Sequence, residues 1–146
     1  EVREVLETVQ PDLLQFHGDE APEECERYGR RYLRAFRVGA PGMETSPALL
    51  KSCERYGSAA GWLFDSHSEG YGGSGRVFDW SLLGSESVRP VVLSGGLHAG
   101  NVAAAIEAVR PFAVDVSSGV ELSPGIKCAD KIAQFVAQVK RADGCR

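Results

Sequence analysis

The 146-residue sequence lacks the features that mark nucleic-acid-binding and membrane proteins. Its formal net charge is −4, its pI is about 5.4, and no basic stripe runs along it. The one arginine-rich segment, residues 27–37, follows an acidic segment. We interpret this order as a helix with acids in its first part and arginines at its end. No apolar run approaches the length of a bilayer span. We therefore expect a cytoplasmic protein with neither nucleic acid nor a membrane as partner.

Metal and nucleotide signatures are missing too. The four cysteines are far apart without Cys-x-x-Cys spacing, and the three histidines are scattered, so we expect no metal ion, no cofactor and no disulfide framework. The glycine-rich residues 70–75 contain no Gly-Lys-Ser/Thr triplet, and no Gly-x-Gly-x-x-Gly opens a helix. We interpret this segment as a lid that closes over a substrate, with a plain linker loop as the alternative.

What the chain does contain is a regular alternation of strands and helices, the signature of a parallel sheet. Its pattern predicts an α/β fold with about five βα units in one domain, residues 1–146. Because polar residues follow the carboxyl end of strand after strand, we favour part of a (β/α)8 TIM barrel over an open doubly wound sheet. Strands are predicted at 13–17, 32–38, 61–65, 90–93 and 112–116, and helices at 2–9, 22–28, 46–55, 79–83, 101–109 and 130–140.

Two adjacent strand ends carry the composition of a phosphate site. Residues 113–121 run from an apolar strand into Ser117, Ser118 and Gly119, and residues 90–97 run into Gly95 and Gly96. Hydroxyls, glycines and free backbone amides at such positions suit an anion. Consecutive βα loops of this kind form the usual phosphate clamp of a (β/α)8 barrel.

Two carboxylates are candidates for chemistry. Asp65 ends an apolar strand and is either a general acid or base, or a loop-stabilising acid. Asp115 stands between two valines, and we expect its side chain to point inward, where a carboxylate needs a hydrogen-bond partner or a ligand. Gln15 and His17 share one strand face, and His17 has a structural role as its alternative.

Five segments, in their order along the chain, resemble phosphoribosylanthranilate isomerase. They cover essentially the whole chain: Leu-Gln before His-Gly-Asp-Glu at 17–20, the Phe-Asp strand end at 64–65, residues 72–80, Leu-Ser-Gly-Gly-Leu at 93–97 with Asn-Val at 101–102, and residues 114–121 with Pro-Gly at 124–125. The resemblance implies a cofactor-free Amadori rearrangement in tryptophan biosynthesis. The implied substrate is a phosphorylated sugar–anthranilate.

The resemblance also implies residue roles. Asp65 matches the general acid that opens the sugar ring, and Asp115 matches an acid at the anthranilate end of the substrate. The remaining matches are substrate-binding Gln15, His17 and Gly73, and phosphate-binding Gly95, Gly96, Ser117, Ser118 and Gly119.

This sequence departs from the family in one decisive respect. The family's general base is a cysteine in a Lys-Ile-Cys-Gly motif at the first strand, and no such motif occurs here. The family's substrate-binding arginine is also absent, and Cys128 replaces the acid of its Gly-x-Lys-Asp segment, leaving Asp130 to cap the last helix. Aligned by motif, the chain is expected to begin at the third helix and to contain strands four to eight. We therefore expect no turnover by this chain alone, and self-association through its open sheet edges.

Two other functions remain open at this point. One is another sugar-phosphate barrel enzyme, although the metal ligands of the epimerases and the strand lysine of the indole-glycerol-phosphate synthases are not found. The other is a non-catalytic phosphate-binding half-barrel. Binding of a substrate analogue without turnover would distinguish this last function from the isomerase.

Overall fold

Five parallel strands form one sheet in the computed structural model, which describes residues 2–66, 77–84 and 87–144. The strands are β1 (Leu13–Phe16), β2 (Arg31–Val38), β3 (Gly61–Ser66), β4 (Val91–Leu93) and β5 (Ala113–Val114). Their order in the sheet is β1-β2-β3-β4-β5, the order along the chain. A doubly wound sheet reverses its strand order at a switch point, whereas this sheet does not, so the predicted barrel-type succession is confirmed.

Helices connect the strands. They are α1 (Val2–Thr8), α2 (Pro22–Glu26), α3 (Ser46–Glu54), α4 (Val102–Val109) and α5 (Ala129–Asp143). The helix predicted at 79–83 is a short 3-10 turn, Trp80–Leu82, with Asp79 as its cap. None of the helices in the described part of the chain combines the length and the apolar character that a bilayer span needs.

Two helix starts are of note: Ser46, the first residue of the helix predicted at 46–55, does not cap it, and the predicted cap of the last helix, Asp130, is wrong. Thr45, not Ser46, caps α3, since its hydroxyl accepts a hydrogen bond from the amide of Ala48 at 3.4 Å. The last helix begins after Cys128, whose side chain makes no capping bond, and Asp130 lies inside its first turn. An acid there still favours the helix because it faces the positive end of the helix dipole.

The core lies between the sheet and the helices. Phe36, Trp62 and Phe64 pack on this side with Leu49 and Cys53 of α3. Further along, Leu93 packs with Val102 and Ile106 of α4 and with Phe135 of α5. Because side chains alternate along a strand, Arg37 and Asp65 lie on the opposite face of the sheet, where a barrel has its interior.

A two-stranded antiparallel sheet follows β5 and was not predicted. It pairs β6 (Glu121–Ser123) with β7 (Ile126–Lys127). The intervening Pro124 and Gly125 form the turn, with Gly125 at φ 81°, the conformation that a type II turn requires at its third position. The hairpin lies directly between the predicted phosphate loop and α5.

Candidate active site

The carboxyl ends of β3, β4 and β5 meet at one edge of the sheet. The amide of Ser94 donates to the carbonyl of Phe64 and the amide of Asp115 donates to that of Leu93, both at 2.8 Å. These ladder bonds place Asp65, Ser94 and Asp115 at successive strand ends. The structure therefore brings together the two acids singled out in the sequence.

Asp65 is half-buried at this edge. Its Oδ1 accepts a hydrogen bond from the amide of Ser66 at 2.8 Å. Burial raises the pKa of the Asp65 carboxyl, and the negative charge of Asp115 raises it further, whereas the Ser66 amide and the positive charge of Arg37 oppose the rise. A carboxyl that retains its proton to higher pH is suited to act as a general acid.

Arg37 was not predicted as part of this site. It is the register partner of Asp65 across β2 and β3, so the two side chains leave the same face of the sheet. Its Nη2 also donates to the carbonyl of His17 at 3.1 Å. The helix end that the charge pattern predicts for the arginine-rich segment is wrong, because Arg31, Arg34 and Arg37 lie in β2, where a strand is also predicted at 32–38. The signal that could have revealed Arg37 is the alternation along the strands: Arg37 and Asp65 each follow a core phenylalanine by one residue, so both lie on the face opposite the core.

Asp115 has a hydrogen-bond partner, as we expected, but its predicted burial is wrong. Its Oδ2 accepts a hydrogen bond from the buried hydroxyl of Ser94 at 3.1 Å. The side chain is exposed rather than enclosed by apolar layers, because β5 is an edge strand of the described sheet and ends at Val114. Asp115 therefore lies just beyond β5, in a position accessible to a ligand.

The Gly95–Gly96 turn after β4 is held closely against β3. Both glycines have positive φ, 85° and 64°, which favours glycine over other residues. A Cβ on Gly95 would lie 2.8 Å from Oδ1 of Asp65 and in contact with the Ser66 amide. Asn101 fixes the other side, since its Nδ2 donates to the carbonyl of Gly96 at 3.0 Å. The backbone of this turn is thus packed closely beside Asp65.

The loop after β5 is the second segment that we predicted to bind phosphate, and it contains a 3-10 turn, Ser118–Val120; we call it the phosphate-type loop. A Cβ on Gly119 would overlap the carbonyl oxygen of Leu97, so the two loops are packed backbone to backbone. In a 3-10 turn the first amides have no acceptor inside the turn, and those of Ser118 and Gly119 are therefore available to an anion. The adjacent loops that we predicted to bind phosphate lie in direct contact.

The other predicted substrate contacts lie farther along the same edge. Gln15 in β1 and His17, one residue beyond the strand, are both exposed. The carbonyl of His17 accepts a hydrogen bond from Arg37, the register partner of Asp65. Gly73 and the predicted lid at 70–75 lie outside the described residues.

No cysteine of the described ranges lies at these strand ends. Cys25 and Cys53 are buried between sheet and helices, and burial raises the pKa of Cys53 to about 12. Cys128 precedes α5, and Cys145 is outside the described residues. Within residues 2–66, 77–84 and 87–144, no three His, Cys, Asp or Glu side chains are placed to share a metal ion.

A sequentially ordered parallel sheet with a carboxyl group beside two contacting glycine loops is typical of enzymes of the (β/α)8 class. A sequence model of N-(5'phosphoribosyl)anthranilate (PRA) isomerase matches residues 1–138. The N-(5'-phosphoribosyl)anthranilate isomerase of Bordetella parapertussis is 61% identical over 147 aligned positions, which cover 98% of this chain and 67% of the relative. The chain belongs to the PRA isomerase family.

Solved structures agree with this assignment. The phosphoribosyl anthranilate isomerase of Thermotoga maritima superposes with a TM-score of 0.82 at 38% identity, covering 96% of this chain and 67% of that one. A second phosphoribosyl anthranilate isomerase was solved in complex with reduced 1-(o-carboxyphenylamino)-1-deoxyribulose 5-phosphate. It superposes with a TM-score of 0.74 at 34% identity, covering 96% of this chain and 65% of that one. The predicted family, its isomerase function in tryptophan biosynthesis and its barrel-type fold are thus confirmed.

Proposed function

We propose that this chain supplies the acid and the phosphate-binding half of a PRA isomerase site, with Asp65 as general acid. The observation that carries the proposal is the position of Asp65, a half-buried carboxyl of raised pKa packed against the Gly95 turn. A phosphate held by the two glycine loops would place the attached sugar over this carboxyl. The substrate would be the phosphorylated sugar–anthranilate of the family.

In the proposed reaction, Asp65 donates its proton to the ring oxygen of the ribose. The bond between that oxygen and C1 breaks, and the anilino nitrogen lone pair forms the Schiff base. A base then removes the C2 proton, and the resulting enolamine tautomerises to the ketone. Asp115, held by Ser94, would contact the anthranilate end, and Gln15, His17 and Gly73 would complete the substrate contacts.

The described residues offer no cysteine that could serve as that base. Cys25 and Cys53 lie on the helix side of the sheet, away from Asp65, and the thiol of Cys53 keeps its proton far above neutral pH. We therefore propose that this 146-residue chain binds substrate analogues but does not turn over. A cytoplasmic location also stays a prediction.

Self-association is proposed as well. β1 and β5 are the edge strands of the described sheet, and an unpaired strand edge is a template for another chain. Leu13 on β1 and Phe112 before β5 are exposed, which adds apolar surface at both edges. The occupant that we expect at micromolar concentration is a second copy of the chain.

The experiment has two arms. First, the purified chain is mixed with the reduced product analogue in a calorimeter and with PRA in a fluorescence assay; we expect binding without substrate consumption. Consumption would show that the chain contains its own base, whereas the absence of binding would refute the isomerase site. Binding of inorganic phosphate alone, without the analogue, would favour the non-catalytic phosphate module.

The second arm tests the acid. The chain is combined with the portion of the Bordetella parapertussis relative to which it does not align. Isomerase activity is then compared between complexes that contain the wild-type chain and the D65N variant. Loss of general acid catalysis should lower turnover by about 10²–10⁴-fold. The exposed substitution D12N serves as the control. An active D65N complex would remove Asp65 from the proposed role.

A further inference from the structure

The amine of Lys127 lies over the loop that follows β5. Its Nζ donates to the carbonyl of Ser117 at 3.0 Å, to the hydroxyl of Ser117 at 3.3 Å and to Oε1 of Glu121 at 2.6 Å. A lysine ammonium has three protons, and these three acceptors use all of them. Lys127 therefore connects the hairpin to the first residue of the phosphate-type loop.

The hairpin fixes the position of this amine. Glu121 and Lys127 are register partners in β6 and β7, so their side chains leave the same face. The amide of Cys128 donates to the carbonyl of Val120 at 2.8 Å, which joins the base of the hairpin to the 3-10 turn. The hydrogen bond from Lys127 is the main cause that lowers the pKa of Glu121.

The contact with Ser117 affects more than one residue. Ser117 directly precedes the 3-10 turn, and its carbonyl accepts the hydrogen bond from the Val120 amide at 3.4 Å. Within that turn, Gly119 is pressed against the carbonyl of Leu97 in the neighbouring loop. The orientation of Ser117 therefore influences where the amides of Ser118 and Gly119 point and how the two loops fit together.

We propose that Lys127 is a positioning residue of the phosphate site, holding Ser117 so that the amides that follow it face the anion. This rests on the phosphate role proposed above for residues 117–119. Since Glu121 balances the charge of Lys127, the main contribution of the lysine is to order the loop. A longer-range attraction of the phosphate is the smaller part, because exposed charges are screened by salt.

Lys131 provides a matched control. Lys131 lies in α5, and its Nζ donates to the carbonyl of Glu121 at 2.6 Å, so it is a second lysine that bonds to the hairpin. Two hydrogen bonds join Lys127 to Ser117, whereas the amine of Lys131 is directed to Glu121 instead. The variants K127M and K131M therefore remove equal charge and similar length, but only K127M releases the loop.

The first test needs no ligand. Amide hydrogen exchange of Val120, whose amide donates to the carbonyl of Ser117, is followed by NMR in the wild-type chain, K127M, K127R and K131M. Loss of hydrogen bonds from a charged donor should accelerate exchange by about tenfold or more in K127M. K131M should exchange like wild type, and K127R should restore most of the protection. Equal exchange in K127M and wild type, with both folded by circular dichroism, would overturn the proposal.

The second test measures binding of inorganic phosphate by the same four proteins. We expect K127M to weaken phosphate binding about three- to tenfold, with little effect in K131M and partial recovery in K127R. An equal loss in K127M and K131M would show a general charge effect and would also contradict the positioning role. If the wild-type chain binds no phosphate, the proposed phosphate site fails, and the exchange experiment alone decides whether Lys127 orders the loop.

Discussion

The carboxylate of Asp65 leaves no room for a side chain on Gly95. A Cβ on Gly95 would lie 2.8 Å from Oδ1 of Asp65, and it would also collide with the amide of Ser66, which holds that same carboxylate. The proposed acid and the proposed phosphate turn are thus one packed unit rather than two neighbouring features. This relationship makes several consequences measurable.

The substitution G95A should damage both fold and binding. Alanine at a positive φ costs about 1–2 kcal/mol, and here the added methyl must also displace the β3 backbone. We expect the free energy of unfolding to fall by more than about 2 kcal/mol in urea titrations, with loss of analogue binding.

Gly125 supplies the control for this prediction. It has nearly the same φ, 81°, but a methyl group added there would meet no atom within 4 Å. G125A should therefore show only the backbone cost of about 1 kcal/mol and should still bind the analogue. Equal losses in the two variants would mean that the contact with Asp65 has no energetic role.

The sequence was sufficient for the main features of this site because each follows from a strong local signal. Apolar strands interrupted by Gly95–Gly96 or by residues 117–119 place loops at carboxyl ends, and parallel strands bring these ends to one edge. The proximity of Asp65 and Asp115 at one edge follows from the order of the strands alone. The PRA isomerase resemblance then assigned roles that physics alone left open.

Other features depend on competition that a sequence does not reveal. Two sequence signals conflict at Arg37: the charge pattern of residues 27–37 indicates a helix end, whereas the alternation of residues 32–38 predicts a strand. Pairing with β1 and β3 decides for the strand. The β6–β7 hairpin has strands of two or three residues, too short to give a period. The exposure of Asp115 reflects which strands pair with β5, a tertiary property that local pattern does not contain.

The stability of the chain should decrease with rising pH because of Asp65. Its folded-state pKa is raised above the unfolded value of about 3.9, so the folded protein retains a proton that the unfolded chain releases. The corresponding stabilisation is complete below the unfolded pKa and is lost as the pH rises through the folded pKa. D65N should therefore be more stable than wild type at neutral pH, and this advantage should shrink below about pH 4, measured by urea unfolding at each pH.

Asp79 offers the opposite case as a control. Hydrogen bonds from Ser81 lower its pKa, so its stabilisation is present at neutral pH and is lost as the pH falls through the folded pKa. D79N should consequently be less stable than wild type at neutral pH and similar to it in acid. If D65N and D79N shift stability in the same direction at neutral pH, our account of the Asp65 environment is wrong.

The charges of Arg37 and Asp115 should move the pKa of Asp65 in opposite directions. Removing the cation with R37M should raise it, and removing the anion with D115N should lower it. The measurement is an NMR titration of the Asp65 carboxyl carbon in each variant. R37K retains the charge and should leave the pKa near that of wild type; a shift equal to that of R37M would point to packing rather than charge.

Thiol labelling should show which described cysteine can react at all. Cys25 and Cys53 are buried, and the thiol of Cys53 has a pKa of about 12, whereas Cys128 is partly exposed. In a C145S background, we expect a chromogenic disulfide reagent to modify Cys128 promptly and the two buried thiols at least about a hundredfold more slowly, since they must wait for the fold to open. Denaturant should equalise the three rates. Prompt modification of Cys53 in the folded chain would show an accessible thiolate and would reopen the question of which residue could remove the C2 proton.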